Sequence, residues 1–211
     1  MQNLFVSKHP VVADRLARLR AKDAPVHYFR RYVHEISQAL AYEASATLPT
    51  KGKTVVTPLC EMNGQVLAND LPVLVVPILR AGLGLVSGFE ALFPDYHMGH
   101  IGLYRDEETK QPVQYMTKLP KHLNRPIFLV DPMLATGHST AKAVEILLAA
   151  GAKIGDIRAV TLISAPEGVK YVHGIYPDLA IYTAALDSHL NEHAYIVPGL
   201  GDAGDRLFGT L

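Results

Sequence analysis

Hydrophobic residues recur along the first fifty positions at the three- and four-residue spacing that is typical of amphipathic helices. In the second of two such stretches, Val26, Phe29 and Val33 begin an apolar stripe that continues to Leu40. Shorter helical patterns follow in the middle of the chain. The predicted helices cover residues 11–20, 25–48, 84–92, 139–150 and 166–175.

From residue 54 onwards, short apolar runs separated by Gly and Pro predict β-strands. Several are apolar throughout, as expected for strands that are covered on both faces. Because the last two predicted helices each lie between strands, they form βαβ units, and the fold class is α/β with a mainly parallel central sheet flanked by helices. Residues 111–120 alternate in polarity and predict an antiparallel arm. The predicted strands cover residues 54–59, 71–79, 126–131, 157–164 and 179–186.

Composition narrows the class of protein. The 211 residues are 49% hydrophobic, and we expect residues 1–211 to form one domain. Lys and Arg balance Asp and Glu at 20 each, which argues against a general nucleic-acid binder. No secretory signal or run of about 20 apolar residues is present, so we expect a cytoplasmic protein without a membrane span. The single cysteine, Cys60, excludes an internal disulfide, and we predict that it lies in the core.

A candidate anion site lies in the sequence IFLVDPMLATGHSTAKAV at residues 127–144. Asp131 ends an apolar run, and a short loop rich in Thr, Gly and Ser leads into a helix. Backbone N–H groups at a helix start favour a phosphate, although an ordinary capped turn has a similar composition. The pattern G-x-x-x-x-G-K-[ST] is missing, so a nucleoside triphosphate is not the predicted ligand. Because ligands of parallel sheets bind beyond the carboxyl ends of the strands, we expect ILRAGLG and the segment after YIVPG to lie nearby.

The sequence VDPMLATGHST closely resembles the phosphoribosyl-pyrophosphate (PRPP) loop of the type I phosphoribosyltransferases, and its PMLATG form looks like that of the uracil phosphoribosyltransferases. ILRAGLG (78–84) is similar to the pyrophosphate loop of that family, and GLYRDEET (102–109) to the segment with a second arginine. Residues 182–210 resemble the carboxyl-terminal uracil signature. Four motifs in the same order are far more specific than one. The resemblance implies a type I phosphoribosyltransferase-like fold, with amino-terminal helices and a small hood formed with the carboxyl-terminal segment.

The resemblance also implies an activity, the transfer of the phosphoribosyl group of PRPP to uracil, which gives UMP and diphosphate in pyrimidine salvage. Asp131, Arg105 and Asp202 would be the catalytic residues. Uracil would contact Ile196, Gly201, Asp202 and Ala203. PRPP would contact Arg80, Arg105, Asp131, Pro132, Met133, Leu134, Ala135, Thr136, Gly137, His138, Ser139 and Asp202.

Cofactor and partners are implied in the same way. Mg²⁺ would be held by substrate oxygens and water, with no dedicated protein cage. Enzymes that resemble this chain are homodimers or larger assemblies, so we expect a homodimer or homotetramer. Some are activated by GTP, which makes GTP a candidate effector. We expect no nucleic-acid or membrane partner.

One residue departs from the family pattern. The family loop usually has the sequence ATGGS, and His138 stands where the second Gly would be. A histidine is costly there if the backbone needs a positive φ. Otherwise His138 either lies beside the phosphate, where its proton titrates near neutral pH, or points to solvent, which is our expectation.

Other functions remain as alternatives. A PRPP-binding regulatory protein could keep the same loop, and a phosphoribosyltransferase could act on another base. Orotate would need a cation near the carboxyl-terminal segment, where Arg206 is the candidate. His189 to His193 spell H-x-x-E-H, an inverted zinc-protease motif, but its histidines require one face of a proper helix, and the stretch has room for only about two turns.

Overall fold

The computed structural model describes residues 2–105 and 112–210, and the side chain of Arg105 lies outside this description. The helices are α1 (Pro10–Arg20), α2 (Val26–Ser45), α3 (Leu83–Leu92), α4 (His138–Ala149), α5 (Pro166–Ile175) and α6 (Ala203–Phe208), with a 3₁₀ turn at Ile154–Asp156. The strands are β1 (Leu4–Val6), β2 (Thr50–Val56), β3 (Glu61–Leu67), β4 (Leu74–Leu79), β5 (His97–Met98), β6 (His100–Arg105), β7 (Pro112–Lys118), β8 (Ile127–Val130), β9 (Met133–Leu134), β10 (Ile157–Ser164), β11 (Ala180–Leu186), β12 (His189–Leu190) and β13 (Ile196–Val197).

The central sheet has the strand order β1-β11-β10-β8-β4-β6-β7, with β9 beside β10 and β5 beside β4. Neighbouring strands are parallel except for the antiparallel pair β6 and β7. The predicted mainly parallel sheet is therefore confirmed, and the antiparallel arm predicted at 111–120 is confirmed over 112–118, since residue 111 lies outside the described residues. A parallel arrangement places the carboxyl ends of the inner strands at one edge of the sheet.

Both faces of the sheet are covered, which explains why its inner strands are apolar throughout. In β8, Phe128 packs on one face with α2 and α3, and its ring lies 4.9 Å from that of Phe89. Leu129 faces the opposite side, where Val144 and Leu147 of α4 are fully buried. Side chains that alternate between two covered faces remove apolar surface from water along the whole strand.

The strand predicted at 54–59 differs from the structure, and so does the environment of Cys60. Among the described residues, strand β2 pairs only with β3, in an antiparallel hairpin that is separate from the central sheet. Cys60 lies in the turn of this hairpin and is exposed, so its predicted place in the core is wrong. The hydroxyl of Thr57 accepts the backbone N–H of Cys60 at 3.1 Å. This hydrogen bond belongs to the turn that ends β2 at Val56, before the end of the apolar run.

The two ends of the chain meet on one side of the sheet. Strand β1 is parallel to β11, and α1 and α2 pack against the carboxyl-terminal segment. Arg30 of α2 donates a hydrogen bond to the carbonyl of Leu207 at 2.6 Å. None of the helices in the described residues is long and apolar enough to span a bilayer.

Candidate functional site

Three of the predicted motifs meet at the carboxyl edge of the sheet. A Cβ atom at Gly82, in the loop after β4, would lie 2.5 Å from the carbonyl oxygen of Val130 at the end of β8. At Gly204, in α6, a Cβ atom would lie 3.9 Å from the Cβ of Ala81. The loops that contain ILRAGLG and DPMLATGHST and the carboxyl-terminal segment are therefore neighbours in the folded chain.

The loop before α4 has the geometry of an anion site. Gly137 is the N-cap residue, has a φ of 85°, and provides no side chain to cap the helix. The first intrahelical bond runs from the N–H of Ala141 to the carbonyl of Gly137 at 2.9 Å. The N–H groups of the first helical turn therefore have no intrahelical acceptor, and the positive end of the helix dipole adds to their attraction for an anion.

His138 is the first residue of α4 and does not adopt the left-handed conformation, because Gly137 makes that turn. Its ring lies edge-on to Tyr171 of α5 with 4.4 Å between centroids. Its Nδ1 is buried and has no hydrogen-bond partner among the described residues. The expectation that His138 points to solvent is wrong, because its ring packs into the contact between α4 and α5.

Asp131 lies directly after β8 and is half-buried at the sheet edge. Burial raises the pKa of its carboxyl group to about 7, and the backbone N–H of Met133 opposes this shift in part. The backbone N–H of Asp131 donates to the carbonyl of Val160 at 3.2 Å, which fixes the start of the loop against β10. A ligand that donates hydrogen bonds here would satisfy the ionised carboxylate.

The other residues predicted in this loop differ in how far their side chains are buried. Pro132 and Leu134 have buried side chains, and their carbonyls accept hydrogen bonds from the backbone N–H groups of residues 162, 163 and 165, so these two residues hold the loop against β10. Ala135, Thr136 and Ser139 are half-buried along the loop. The hydroxyl groups of Thr136 and Ser139 therefore lie beside the free N–H groups, where they can add donors.

The two predicted arginines, Arg80 and Arg105, lie at the ends of β4 and β6. Arg80 is exposed at the end of β4, after a cis peptide bond with Leu79. Its guanidinium carbon lies 6.0 Å from the ring centre of Phe208 in α6. The backbone of Arg105 ends β6 opposite Pro112, but its side chain and residues 106–111 are outside the described part of the chain.

A cavity of 290 Å³ lies between the loop after β8 and the carboxyl-terminal segment. The prediction included four of its lining residues, Met133, Ala135, Ile196 and Asp202, and missed the other three, His193, Ala194 and Tyr195. The missed residues lie within the predicted uracil signature at 182–210 and directly precede Ile196, and this proximity is the signal that could have identified them. The cavity therefore joins the two binding regions that the sequence predicted separately.

The remaining predicted base contacts lie at the start of α6. Asp202 is exposed and is the N-cap residue, with its Oδ1 accepting the N–H of Asp205 at 3.0 Å. Gly201 is exposed with a φ of 77°, and the side chain of Ala203 is fully buried. Any contact that Ala203 makes with a base must come from its backbone.

A larger cavity of 560 Å³ lies elsewhere, near the amino ends of the central strands, where Arg125 and Arg158 are among its lining residues. It contains none of the predicted site residues. We assign the candidate site to the smaller cavity because the free N–H groups, the carboxylates and the motif loops converge at the carboxyl edge.

The H-x-x-E-H sequence does not form a helix. His189 lies in β12, and Glu192 and His193 lie in the turn that follows. Within residues 2–105 and 112–210, no three His, Cys, Asp or Glu side chains form a group that could hold a metal ion. The stretch, which had room for only about two helical turns, forms a strand and a turn that do not bring the histidines to one helical face.

The sheet order and the loops at its carboxyl edge define a phosphoribosyltransferase fold. A solved adenine phosphoribosyltransferase from Leishmania donovani superposes with a TM-score of 0.59 at 13% identity, covering 92% of this chain and 88% of that one, which is a likeness of fold alone. A solved protein from Aquifex aeolicus superposes with a TM-score of 0.90 at 32% identity over 97% of both chains.

Sequence comparison identifies the family within this class. The family model described as uracil phosphoribosyltransferase matches residues 6–210. A uracil phosphoribosyltransferase from Lactococcus lactis subsp. cremoris is 51% identical over 211 residues, 100% of both chains. One from Dictyoglomus thermophilum is 52% identical over 209 residues, covering 98% of this chain and 99% of that one. The chain belongs to the uracil phosphoribosyltransferase family.

The raised pKa of Asp131 predicts how stability depends on pH in the absence of ligand. Because the folded-state pKa of about 7 lies above the ordinary value of 3.8, the stabilising contribution is complete below pH 4 and is lost as the pH rises through 7. We expect Asp131→Asn to raise the free energy of unfolding at pH 8 by about 1–3 kcal/mol, a value reduced for partial exposure from about 1.4 kcal/mol per pKa unit. At pH 4 the difference should nearly vanish.

Urea denaturation of both proteins at pH 4, 6 and 8 measures this effect. Asp23→Asn, which removes an exposed carboxylate, is the control and should change the free energy of unfolding by less than about 0.5 kcal/mol at each pH. Parallel pH profiles for wild type and Asp131→Asn would contradict the assignment of a destabilising carboxylate.

Proposed function

We propose that this uracil phosphoribosyltransferase family member transfers the 5-phosphoribosyl group of PRPP to N1 of uracil, forming UMP and diphosphate. The observation that carries the proposal is the 290 Å³ cavity, whose lining joins Met133 and Ala135 of the phosphate loop to Ile196 and Asp202 of the carboxyl-terminal segment. Both substrates must meet for this reaction, and this cavity adjoins both candidate binding regions. We also infer that residues 1–211 act as one domain, because the motifs of the site extend from residue 78 to residue 210 and the amino-terminal helices α1 and α2 pack against the carboxyl-terminal segment.

The 5′-phosphate would bind at the start of α4. The uncapped N–H groups after Gly137 and the hydroxyls of Thr136 and Ser139 supply donors without the cost of burying a cation. The ring of His138 packs against Tyr171, so in this proposal His138 contributes its backbone N–H and the side chain has no role in proton transfer.

Asp131 would accept hydrogen bonds from the ribose hydroxyl groups. Its carboxylate is destabilised in the ligand-free protein, as the raised pKa records. Hydroxyl donors would stabilise the ionised form, so ribose binding should lower the pKa of Asp131 and release a proton near neutral pH. This arrangement orients C1′ of the ribose relative to the base cavity.

Arg80 and Arg105 would bind the diphosphate, since planar guanidinium groups match paired phosphate oxygens. We propose Mg²⁺ as the cofactor, and the arrangement of side chains fits an ion that binds mainly through substrate oxygens and water, with Asp131 as the nearby carboxylate of the loop. When bound, Mg²⁺ neutralises negative charge on the leaving diphosphate.

Uracil would be bound by the backbone of Ile196 and of residues 201–203, which can match its acceptor–donor–acceptor edge. Cytosine reverses part of this pattern, and unpaired polar groups in a binding site can discriminate by about 10⁴–10⁵. Orotate is disfavoured by the engagement of Arg206, which donates to the carbonyls of Leu200 at 2.7 Å and Ala21 at 2.5 Å. Its guanidinium carbon also lies 4.4 Å from the ring centre of Phe29, so the charged group of Arg206 is already engaged in contacts within the folded chain.

The reaction would break the bond between C1′ and the diphosphate oxygen and form the bond between C1′ and uracil N1. Most of the rate enhancement should come from positioning the two substrates and from stabilising the leaving group. Asp202 is our candidate for the group that accepts the N1 proton. It lines the cavity, and its cap hydrogen bond to Asp205 uses Oδ1.

We further propose that the chain forms a homodimer or homotetramer through the β2–β3 hairpin. In the part of the chain that the structure describes, the two strands pair only with each other, and the hairpin exposes Val56 (75%), Leu59 (94%) and Met62 (49%). Exposed apolar clusters of this kind are typical of interfaces. GTP remains a candidate effector, and its effect is tested in the assay below.

The function is tested by the products formed with different bases. We expect UMP from PRPP, Mg²⁺ and uracil, and no nucleotide from cytosine, orotate or hypoxanthine, with products separated by chromatography and each reaction run with and without GTP. Product from another base would refute the uracil assignment but keep the transfer reaction. PRPP binding without any product would favour the regulatory alternative.

The phosphate site is tested by alanine substitution at two glycines whose backbones adopt the left-handed conformation, Gly137 and Gly151. Gly137→Ala would place a Cβ 2.7 Å from the carbonyl of Gly168, whereas Gly151, with a φ of 96°, has nothing within 4 Å of its Cβ position. We expect both alanine variants to lose about 1 kcal/mol of stability from the strained backbone, and Gly137→Ala to lose more, because its Cβ also meets the backbone carbonyl of Gly168. Only Gly137→Ala should weaken PRPP binding, by at least about tenfold as measured by calorimetry, because a displaced loop misdirects its donors. Equal PRPP affinities in the two variants would count against this site.

The assembly is tested by charge substitution on the hairpin. The double variant Val56→Glu, Leu59→Glu should lower the molar mass measured by light scattering to that of the monomer, because carboxylates would be buried in the interface. Lys153→Glu, at an exposed position outside the hairpin, should leave the mass unchanged. A wild-type chain that is already monomeric would exclude the proposed assembly.

A further inference from the structure

A buried ion pair lies behind the proposed uracil segment. Asp187 follows β11, and its side chain is 4% exposed, while Arg20 is the last residue of α1 and its side chain is 20% exposed. The guanidinium donates to both carboxylate oxygens, at 2.6 and 2.8 Å, across 167 positions of sequence. Removing two charges from water costs free energy, so such a pair is weak support for stability alone and suggests a different role.

Both members of the pair also bind the backbone of Gly199. Oδ2 of Asp187 accepts the N–H of Gly199 at 2.9 Å, and Arg20 donates to its carbonyl at 2.5 Å. The turn is tight at this point, because a Cβ atom at Gly199 would lie 2.1 Å from the carbonyl oxygen of Ile196. One ion pair therefore fixes both polar backbone groups of a residue that no other amino acid can replace without a shift.

The neighbouring carbonyl groups are also engaged. Val197 accepts the N–H of Ser188 at 2.9 Å, and Leu200 accepts from Arg206 at 2.7 Å. The carbonyls of residues 197, 199 and 200 are thus occupied by the protein itself, so these three groups hold the turn in place and are not available to a base. The engaged turn lies between Ile196, which lines the 290 Å³ cavity, and residues 201–203.

The backbone of Asp187 is anchored as firmly as its side chain. Its N–H donates to the carbonyl of Ser164 at the end of β10, at 2.8 Å. The carboxylate therefore has a fixed position relative to the central sheet, which also fixes the loop that begins at Asp131. Asp187 therefore links the central sheet to Gly199, and Arg20 of α1 binds both Asp187 and Gly199.

We propose that Arg20 and Asp187 are positioning residues for base recognition, which hold Gly199 so that the backbone on either side of it matches uracil. This inference rests on the proposed function of residues 196–203. A pair that served only to attach α1 would affect stability, whereas a positioning pair must affect the uracil step more than the PRPP step.

Steady-state kinetics of Arg20→Lys and Asp187→Asn separate these roles. Lysine keeps the charge of Arg20 but lacks the planar fork needed to hold Asp187 and Gly199 together. Asparagine keeps the shape of Asp187 but removes its charge. We expect the KM for uracil to rise at least tenfold in both variants, while the Kd for PRPP measured by calorimetry changes less than threefold.

Arg18→Lys is the matched control, because Arg18 lies on the same helix and pairs with Asp14 at the surface, at 3.1 Å. It should leave both constants unchanged. An unchanged KM for uracil in folded Arg20→Lys, or an equal rise in the constants for both substrates, would overturn the positioning role. A wild-type protein that forms no UMP would instead contradict the proposed function itself, so the two failures are distinguishable.

A measurement on the wild-type protein covers the case in which both variants fail to fold. The proposed clamp requires the amide of Gly199 to be protected from hydrogen exchange before any ligand binds, and nuclear magnetic resonance can follow this single amide. We expect exchange at least 10³-fold slower than for the amide of Gly155, which is exposed and lies in a turn far from the site. Comparable rates for the two amides would show that Gly199 is not held in place.

Discussion

The close contact between the loop after β4 and the end of β8 is the constraint on which the site depends. At Gly82 a Cβ atom would lie within 2.7 Å of three backbone atoms, two of Ile78 and one of Val130. Because backbone atoms cannot move aside as a flexible side chain can, only glycine allows the two loops to approach this closely. Arg80 and Asp131 are brought to the same sheet edge by this contact.

Two features of the site are unfavourable in the free protein, and both would become favourable with the phosphorylated sugar bound as proposed. The start of α4 lacks a side-chain cap, and burial disfavours the ionised carboxylate of Asp131. A globular fold could remove each cost with a Ser at the N-cap or with an uncharged side chain at the strand end. Their presence together is typical of sites where stability is given up for ligand binding.

The carboxyl-terminal segment is held in place by hydrogen bonds to the amino-terminal helices, which lie far from it in sequence. Arg20, at the end of α1, binds Gly199, and Arg30 of α2 binds the carbonyl of Leu207. Arg206 donates in the opposite direction, to the carbonyl of Ala21. Helices that carry no chemistry of their own thus fix the backbone that is proposed to recognise the base, since isolated Gly-rich turns do not hold one conformation.

The sequence alone predicts the α/β class, most of the inner strands and the loop that is proposed to bind phosphate, because strands buried on both faces and a Gly-rich strand-to-helix loop have strong local patterns. Helix α5 and strand β10 begin and end where the pattern predicts. The prediction that Cys60 lies in the core is wrong, since a short apolar run has the same local pattern in a core and on an exposed hairpin.

Which loop residues face one another depends on how the elements pack in the folded chain. This packing placed Tyr195 in the cavity, turned the ring of His138 onto Tyr171, and joined Arg20 to Asp187. Local spacing sets which elements form, but contacts between residues more than a hundred positions apart depend on how the elements pack. That packing is fixed by burial over the whole sheet, and no short motif records it.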